Sequence, residues 1–191
     1  MKKVFIVHGF MSTPNGGWRS WLMDELNKIG VYACALPMPT PDEPKCEEWI
    51  AELTRAIPDV NEDVFLVGHS LGCAGILNYL ETIDSTKKFG GVFLVSGPIE
   101  KLRIEDTTSK IRKMDSFFTH DFDFNKIKEK ADRFVVIHGD DDDRVPFEHG
   151  ERASKALGGE LIAVPNGGHL NGKSGWHELP PILESLSGML K

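Results

Sequence analysis

The chain has 191 residues, 40% of them apolar and 27% charged, with a formal net charge of −7. That is the length and balance of one globular domain able to bury a substantial core. Its Lys and Arg are scattered, so nucleic acid and anionic membrane are not indicated as partners. Three cysteines without tight spacing, Cys34, Cys46 and Cys73, speak against a disulfide framework and against a zinc site.

The first predicted strand, Val4–Val7, follows Met1-Lys2-Lys3. The apolar run stops at His8-Gly9, too short for a signal-peptide core, and no stretch is long enough to span a membrane, so a cytoplasmic protein is expected. Trp18, Trp21, Leu22, Leu26 and Ile29 then form a helical stripe. A second strand, Val31–Leu36, leads into a loop carrying Pro37, Pro39, Pro41 and Pro44, where fixed φ angles exclude helix. A helix is predicted near Cys46–Ala56, a strand at Val64–Val67 and a helix at Leu71–Thr82. Strands follow at Val92–Val95, Phe134–Ile137 and Leu161–Val164, with helices near Phe147–Leu157 and Pro180–Leu190.

Most of these strands are continuously apolar, as strands covered on both faces are. Alternation with helices predicts right-handed βαβ units in a three-layer α/β/α fold. The sheet is doubly wound and parallel, of about six strands, within a single domain over residues 1–191. Segment 99–132 has no strong strand and carries Phe117, Phe118, Phe122 and Phe124. Two readings stay open: a surface helix tucking aromatics into the core, or a short cap lining a substrate pocket.

Between the third strand and the next helix stands Gly68-His69-Ser70-Leu71-Gly72. A Gly-x-Ser-x-Gly turn in that context strains the serine backbone and leaves Oγ exposed as a nucleophile. Ser70 needs a base and an acid. His169 follows the last strand on what reads as a flexible loop, and Asp142 follows the fifth strand. Both lie at carboxyl ends of strands, where open α/β sheets bind ligands, and the order serine, acid, histidine is that of α/β-hydrolases.

Asp142 stands in Asp140-Asp141-Asp142-Asp143. Its spacing to Val145-Pro146 favours it, with Asp140 and Asp141 as alternatives; the remaining aspartates are expected to face water. Four adjacent carboxylates also suit Ca²⁺ or Mg²⁺, but no glycine-punctuated ligand loop accompanies them. Among the histidines, His8 and His138 end strands, His69 is the variable elbow position, and His177 is the one serious rival to His169. Gly167–Ser174 matches the phosphate-loop pattern Gly-x4-Gly-Lys-Ser. Pro180-Pro181 sit where that motif's helix interior belongs, so it reads instead as a hydrogen-bonded loop that carries His169.

These residues resemble a lid-poor α/β-hydrolase, of the small retinoblastoma-binding-protein-type serine hydrolases and their bacterial counterparts. The resemblance runs from Val4 to about Leu170. It is carried by His8-Gly9-Phe10, Trp18 and Trp21, Gly68–Gly72, Phe122-Asp123-Phe124 with Ile127 and Lys128, and Gly139-x-x-Asp142-x-x-Val145-Pro146. It implies a parallel sheet without an antiparallel edge strand, and supports Ser70, Asp142 and His169 as a triad.

An oxyanion hole is expected from the backbone N–H groups of Phe10 and Leu71. Met11, Phe117, Phe118 and Trp176 are candidate pocket walls, along with Met38. This chemistry needs neither cofactor nor metal, and the expected substrate is a small carboxylic ester. Thioesters and amides use the same chemistry. The reading from another class is a non-catalytic interaction module on the same fold. The pattern Leu-x-Cys-x-Glu that would serve a protein partner is approached by Pro44-Lys45-Cys46-Glu47-Glu48, with Pro in place of Leu, and is not carried over.

Overall fold

The computed structural model describes residues 1–102 and 112–190. In chain order these form β1 (Lys3–Val7), α1 (Arg19–Lys28), β2 (Tyr32–Leu36), α2 (Cys46–Ala56), β3 (Val64–His69) and α3 (Leu71–Thr82). There follow β4 (Gly91–Val95), α4 (Phe124–Ile127), β5 (Phe134–Gly139), α5 (Phe147–Leu157), β6 (Glu160–Val164) and α6 (Pro180–Met189). The six strands pair in the order β2-β1-β3-β4-β5-β6, all parallel. This is the three-layer, doubly wound sheet the apolar runs predict.

Alternating side chains along each strand feed two cores. On one face Leu66, Leu94 and Val136 pack with Trp49 and Leu53 of α2 and with Ile76 and Leu77 of α3. On the other, Ile6, Val67, Val95 and Ile137 pack with Trp18, Leu22 and Leu26 near α1 and with Ile182 and Leu186 of α6. Every residue of β3 and β5 is buried, which is why their sequences show no polar alternation. Trp49 has no exposed surface, and its truncation to Ala would cost about 3–5 kcal/mol. Ile29, the end of the predicted helical stripe, lies past the last turn of α1 and is 58% exposed.

Winding reverses between β1 and β3. Their register pairs Val7 with Gly68, so His8-Gly9 leaves the sheet beside His69-Ser70. This is the crevice in which open α/β sheets hold ligands. Residues 103–111 of the expected cap-like segment lie outside the described residues. Within the described part, a single turn of 3₁₀ helix spans Asp115–Phe117. It is fastened to α2 by the Cys46 N–H bond to Ser116 Oγ (3.1 Å) and to α3 by the Asn78 Nδ2 bond to the Phe117 carbonyl (3.1 Å).

Candidate active site

Ser70 sits between β3 and α3 with φ 54° and ψ −125°, a conformation disfavoured for a side chain with a Cβ. Its amide is held by the Val95 carbonyl (2.9 Å), and its own carbonyl accepts from Cys73 (2.9 Å). The turn closes because its glycines admit no side chain. A Cβ on Gly68 would lie 2.9 Å from the Cys73 backbone, and one on Gly72 would collide with the Val7 carbonyl of β1. The short run therefore forces Oγ out at the edge of the sheet.

Asp142 follows β5 and is tied to its own loop. Its Oδ1 accepts from the amides of Arg144 (2.9 Å) and Val145 (3.0 Å). His169 Nδ1 lies 2.9 Å from Asp142 Oδ2 and 3.1 Å from Oδ1, and its Nε2 lies 2.9 Å from Ser70 Oγ. A carboxylate only accepts, so Nδ1 carries the proton and Nε2 is left to accept from the serine hydroxyl. Burial alone would raise the Asp142 pKa, but hydrogen bonds from His138 and His169 and the Val145 amide hold it well below the usual carboxylate range. The three residues singled out in the sequence thus form one continuous line of hydrogen bonds, able to move a proton from Ser70 to His169 beside a fixed negative charge.

His8 orders the neighbouring turn. Its Nε2 accepts from the Met38 amide (3.3 Å), so the proton is on Nδ1, which donates to the Gly9 carbonyl (2.9 Å). Burial, against the pull of that carbonyl, lowers the His8 pKa and keeps the ring neutral. In a trans peptide the C=O and the next N–H point in opposite directions, so holding the Gly9 carbonyl also aims the Phe10 N–H. The Met11 amide is taken by the Pro41 carbonyl (2.7 Å), with Met11 at φ 51°. Among the described residues, the N–H groups of Phe10 and Leu71 meet no protein acceptor.

The loop under His169 is hydrogen-bonded along its length. Asn166, Gly168 and Leu170 all have positive φ, of 51°, 55° and 45°, and for Leu170 this costs about 1 kcal/mol or more. Side chains from across the chain fasten this backbone. Asp140 Oδ1 accepts from the Asn166 amide (2.8 Å) and Asp141 Oδ1 from the Gly168 amide (2.7 Å). Trp176 Nε1 donates to the Gly167 carbonyl (2.7 Å), Trp18 Nε1 to the Leu170 carbonyl (2.8 Å), and His69 Nε2 bonds the His169 carbonyl (3.1 Å). Asp140 and Asp141 are exposed, as expected, and also accept hydrogen bonds that clamp the histidine loop. Their signal was present in the sequence as adjacent carboxylates at a strand end, but their acceptor role depends on where β6 lies.

The other histidines are bonded elsewhere or, for His177, face solvent. His138 is fully buried; its Nε2 donates to the Val145 carbonyl (2.9 Å) and lies 3.4 Å from Asp142 Oδ2, while Nδ1 has no partner. His149 accepts from the Ile99 amide (3.2 Å), His120 bonds Glu81 (2.8 Å), and His177 is exposed. In the phosphate-loop look-alike, Asn171 Oδ1 accepts from the amides of Lys173 and Ser174 (both 2.9 Å), the donors a phosphate would need. Among the described residues no cluster of three or more His, Cys, Asp or Glu is arranged to hold a metal ion. No helix among them is long and apolar enough to cross a membrane.

The expected pocket walls diverge. Met11 is 60% exposed, and Phe118 and Trp176 are half-buried. Phe117 has no exposed surface and packs edge-on against Trp49 with ring centroids 5.2 Å apart, so it is part of the core. Met38 is also buried. Cys46 opens α2 from a buried position. Two hollows, of about 330 and 200 Å³, are lined by Phe134, Val135 and Glu160 in the first case and by Ile57, Tyr79 and Thr82 in the second. Neither includes a residue of this site.

A parallel, doubly wound sheet with a serine on the turn after its third strand is the layout of the α/β-hydrolases. Within that class the chain belongs to the serine hydrolase family, whose model matches residues 4–188. It is 34% identical over 186 residues to the putative hydrolase YdeN of Bacillus subtilis (strain 168), covering 97% of this chain and 95% of that one. Serine hydrolase RBBP9 of Rattus norvegicus is 23% identical over 171 residues, covering 89% of this chain and 86% of its own. The crystal structure of the ydeN gene product from B. subtilis superposes with a TM-score of 0.91 at 34% identity, over 99% of this chain and 98% of the other.

Proposed function

We propose that the protein hydrolyses a small carboxylic ester through an acyl-enzyme on Ser70. The observation that carries this reading is the line Asp142–His169–Ser70, with 2.9 Å at each of its two links. In the first half-reaction His169 Nε2 takes the Ser70 proton while Oγ attacks the acyl carbonyl. The Phe10 and Leu71 N–H groups donate to the tetrahedral oxyanion, each worth about 2.7–4 kcal/mol. Collapse expels the alkoxide, which leaves as the alcohol with the proton from His169. Water then attacks the acyl-enzyme, giving its proton to His169, and the acid departs as Ser70 recovers its hydrogen.

Asp142 keeps the Nδ1 proton of His169 in place and stabilises the imidazolium formed in each half-reaction. No step calls on a metal or cofactor. The half-exposed position of Ser70 and the exposure of Met11 fit an open mouth for a compact acyl group.

The test is treatment of the protein with a fluorophosphonate probe beside Ser70→Ala and His169→Ala, with the adduct mapped by mass spectrometry and p-nitrophenyl acetate turnover measured in parallel. One adduct, on Ser70 and absent from both variants, is expected, with turnover falling on the order of 10⁴-fold or more in each. A folded wild-type protein that takes no label would remove the reading.

A further inference from the structure

The elbow histidine is placed where its two ring nitrogens meet opposite demands. His69 is buried, and its Nε2 lies 3.1 Å from the His169 carbonyl, an acceptor, so Nε2 carries the proton. Its Nδ1 lies 3.5 Å from Arg19 Nη1, a group that only donates, so Nδ1 is bare. The two neighbours select one tautomer and one charge state, with His69 neutral. Trp18 stacks edge-on against the ring, centroids 5.8 Å apart, and itself donates to the Leu170 carbonyl.

Arg19 is the less expected partner. It is 2% exposed, and among the described residues no carboxylate pairs with its guanidinium. It donates instead to neutral groups on the loop after β1: Ser12 Oγ (2.8 Å), the Thr13 carbonyl (2.9 Å) and the Pro14 carbonyl (3.3 Å). A buried cation without a counter-charge is unfavourable, so packing alone does not account for it. What it does is join three strand ends. The loop carrying Phe10 and Met11, the elbow, and the loop carrying His169 are linked through Arg19 and His69.

We infer that Arg19 and His69 form a positioning pair that holds the His169 main chain in register with Ser70. The inference rests on the Ser70 hydrolase reading, in which a displacement of about 1 Å at the base costs on the order of 100-fold in rate. The pair touches no reacting atom. It acts through the His169 carbonyl, two bonds from the Cα that carries the imidazole.

The test uses amide and ring replacements in the full chain. His69→Gln keeps one acceptor and one donor, whereas His69→Phe keeps the ring and loses both. Arg19→Lys keeps the charge, and Arg19→Met keeps only the stem. Fluorophosphonate labelling of Ser70 is followed against probe concentration, separating the limiting rate from the half-saturating concentration. The low-field proton NMR signal of His169 Nδ1–H, bonded to Asp142, is recorded alongside melting temperature. In His69→Phe the limiting rate is expected to fall about 10- to 100-fold, with the half-saturating concentration within about twofold and the low-field proton broadened. His69→Gln should restore most of both signals, and Arg19→Met should move in the same direction as His69→Phe.

The inference is overturned if folded His69→Phe labels like wild type. It is also overturned if Gln rescues no better than Phe and every loss tracks melting temperature. Should His69→Phe fail to fold, the contrast between Arg19→Lys and Arg19→Met decides it. A wild-type protein that takes no label removes the hydrolase reading instead, and the low-field proton then decides the role of His69 by itself.

Discussion

The elbow at Gly68–Gly72 and the loop at Asn166–Leu170 do comparable work by opposite means. Each presents a side chain of the candidate site from backbone that includes positive φ, Ser70 in one and the residues around His169 in the other. The elbow is held by near neighbours. Its glycines allow α3 to lie against β1 and β3, and the turn is closed by its own amides and one bond to β4. The histidine loop is held by Asp140, Asp141, His69, Trp18 and Trp176, drawn from residues 18 to 176. Strain kept by local shape belongs to the fold itself, whereas strain kept by distant side chains can be released one bond at a time.

That difference should separate mutations by what they damage. Gly72→Ala would drive a Cβ into the Val7 carbonyl of a central strand, which has no room to yield. A loss of about 3 kcal/mol is expected, read in a thermal melt as a fall of about 6–12 °C. An unchanged melting temperature would show that the elbow, too, can shift.

Asp141→Ala should behave in the other way. Its carboxylate is exposed, so the fold should stand, but the amide next to His169 loses its acceptor. The limiting rate of Ser70 labelling is expected to fall about 10-fold, and the Gly168 amide to exchange faster with deuterium. Asp141→Asn, which keeps an acceptor, should restore both. Equal behaviour of the Ala and Asn variants would contradict the clamp.

The smallest effect is read where the two regions meet, at His69. Burial first, then the charges of His169 and Arg19, push its pKa well below the ordinary value, against the favourable pull of the His169 carbonyl and Asp142. A histidine near 6.5 in the unfolded chain then binds a proton that the folded state refuses. As pH falls below about 6.5, the unfolded state takes up more protons and stability declines. His69→Gln removes that contribution, so its unfolding free energy from urea melts should fall less steeply between about pH 6.5 and 5, by at most about 1.4 kcal/mol per pH unit. The lowered values of His8 and His149, both led by burial, act in the same direction and persist in the variant. Parallel pH profiles for the two proteins would mean that His69 titrates freely when folded.

Much of this molecule is determined by its sequence alone. Continuous apolar runs separated by helical stripes specify a doubly wound parallel sheet, because strands buried on both faces cannot alternate. The elbow is legible because strand, turn and helix adjoin within five residues whose glycines have one steric purpose. The order of Ser70, Asp142 and His169 is legible too, since each follows a strand whose carboxyl end faces the same edge. Asp140 and Asp141 could be seen but not assigned, and the side chains that hold the His169 loop could not be named, because they come from distant parts of the chain. Phe117 could be read as pocket or core, and its packing on Trp49 makes it core. Tertiary structure alone decided these cases. A hydrogen bond from Trp18 to the Leu170 carbonyl, or from the Gly168 amide to Asp141, joins segments whose neighbourhood exists once the sheet has formed, so no local pattern encodes it.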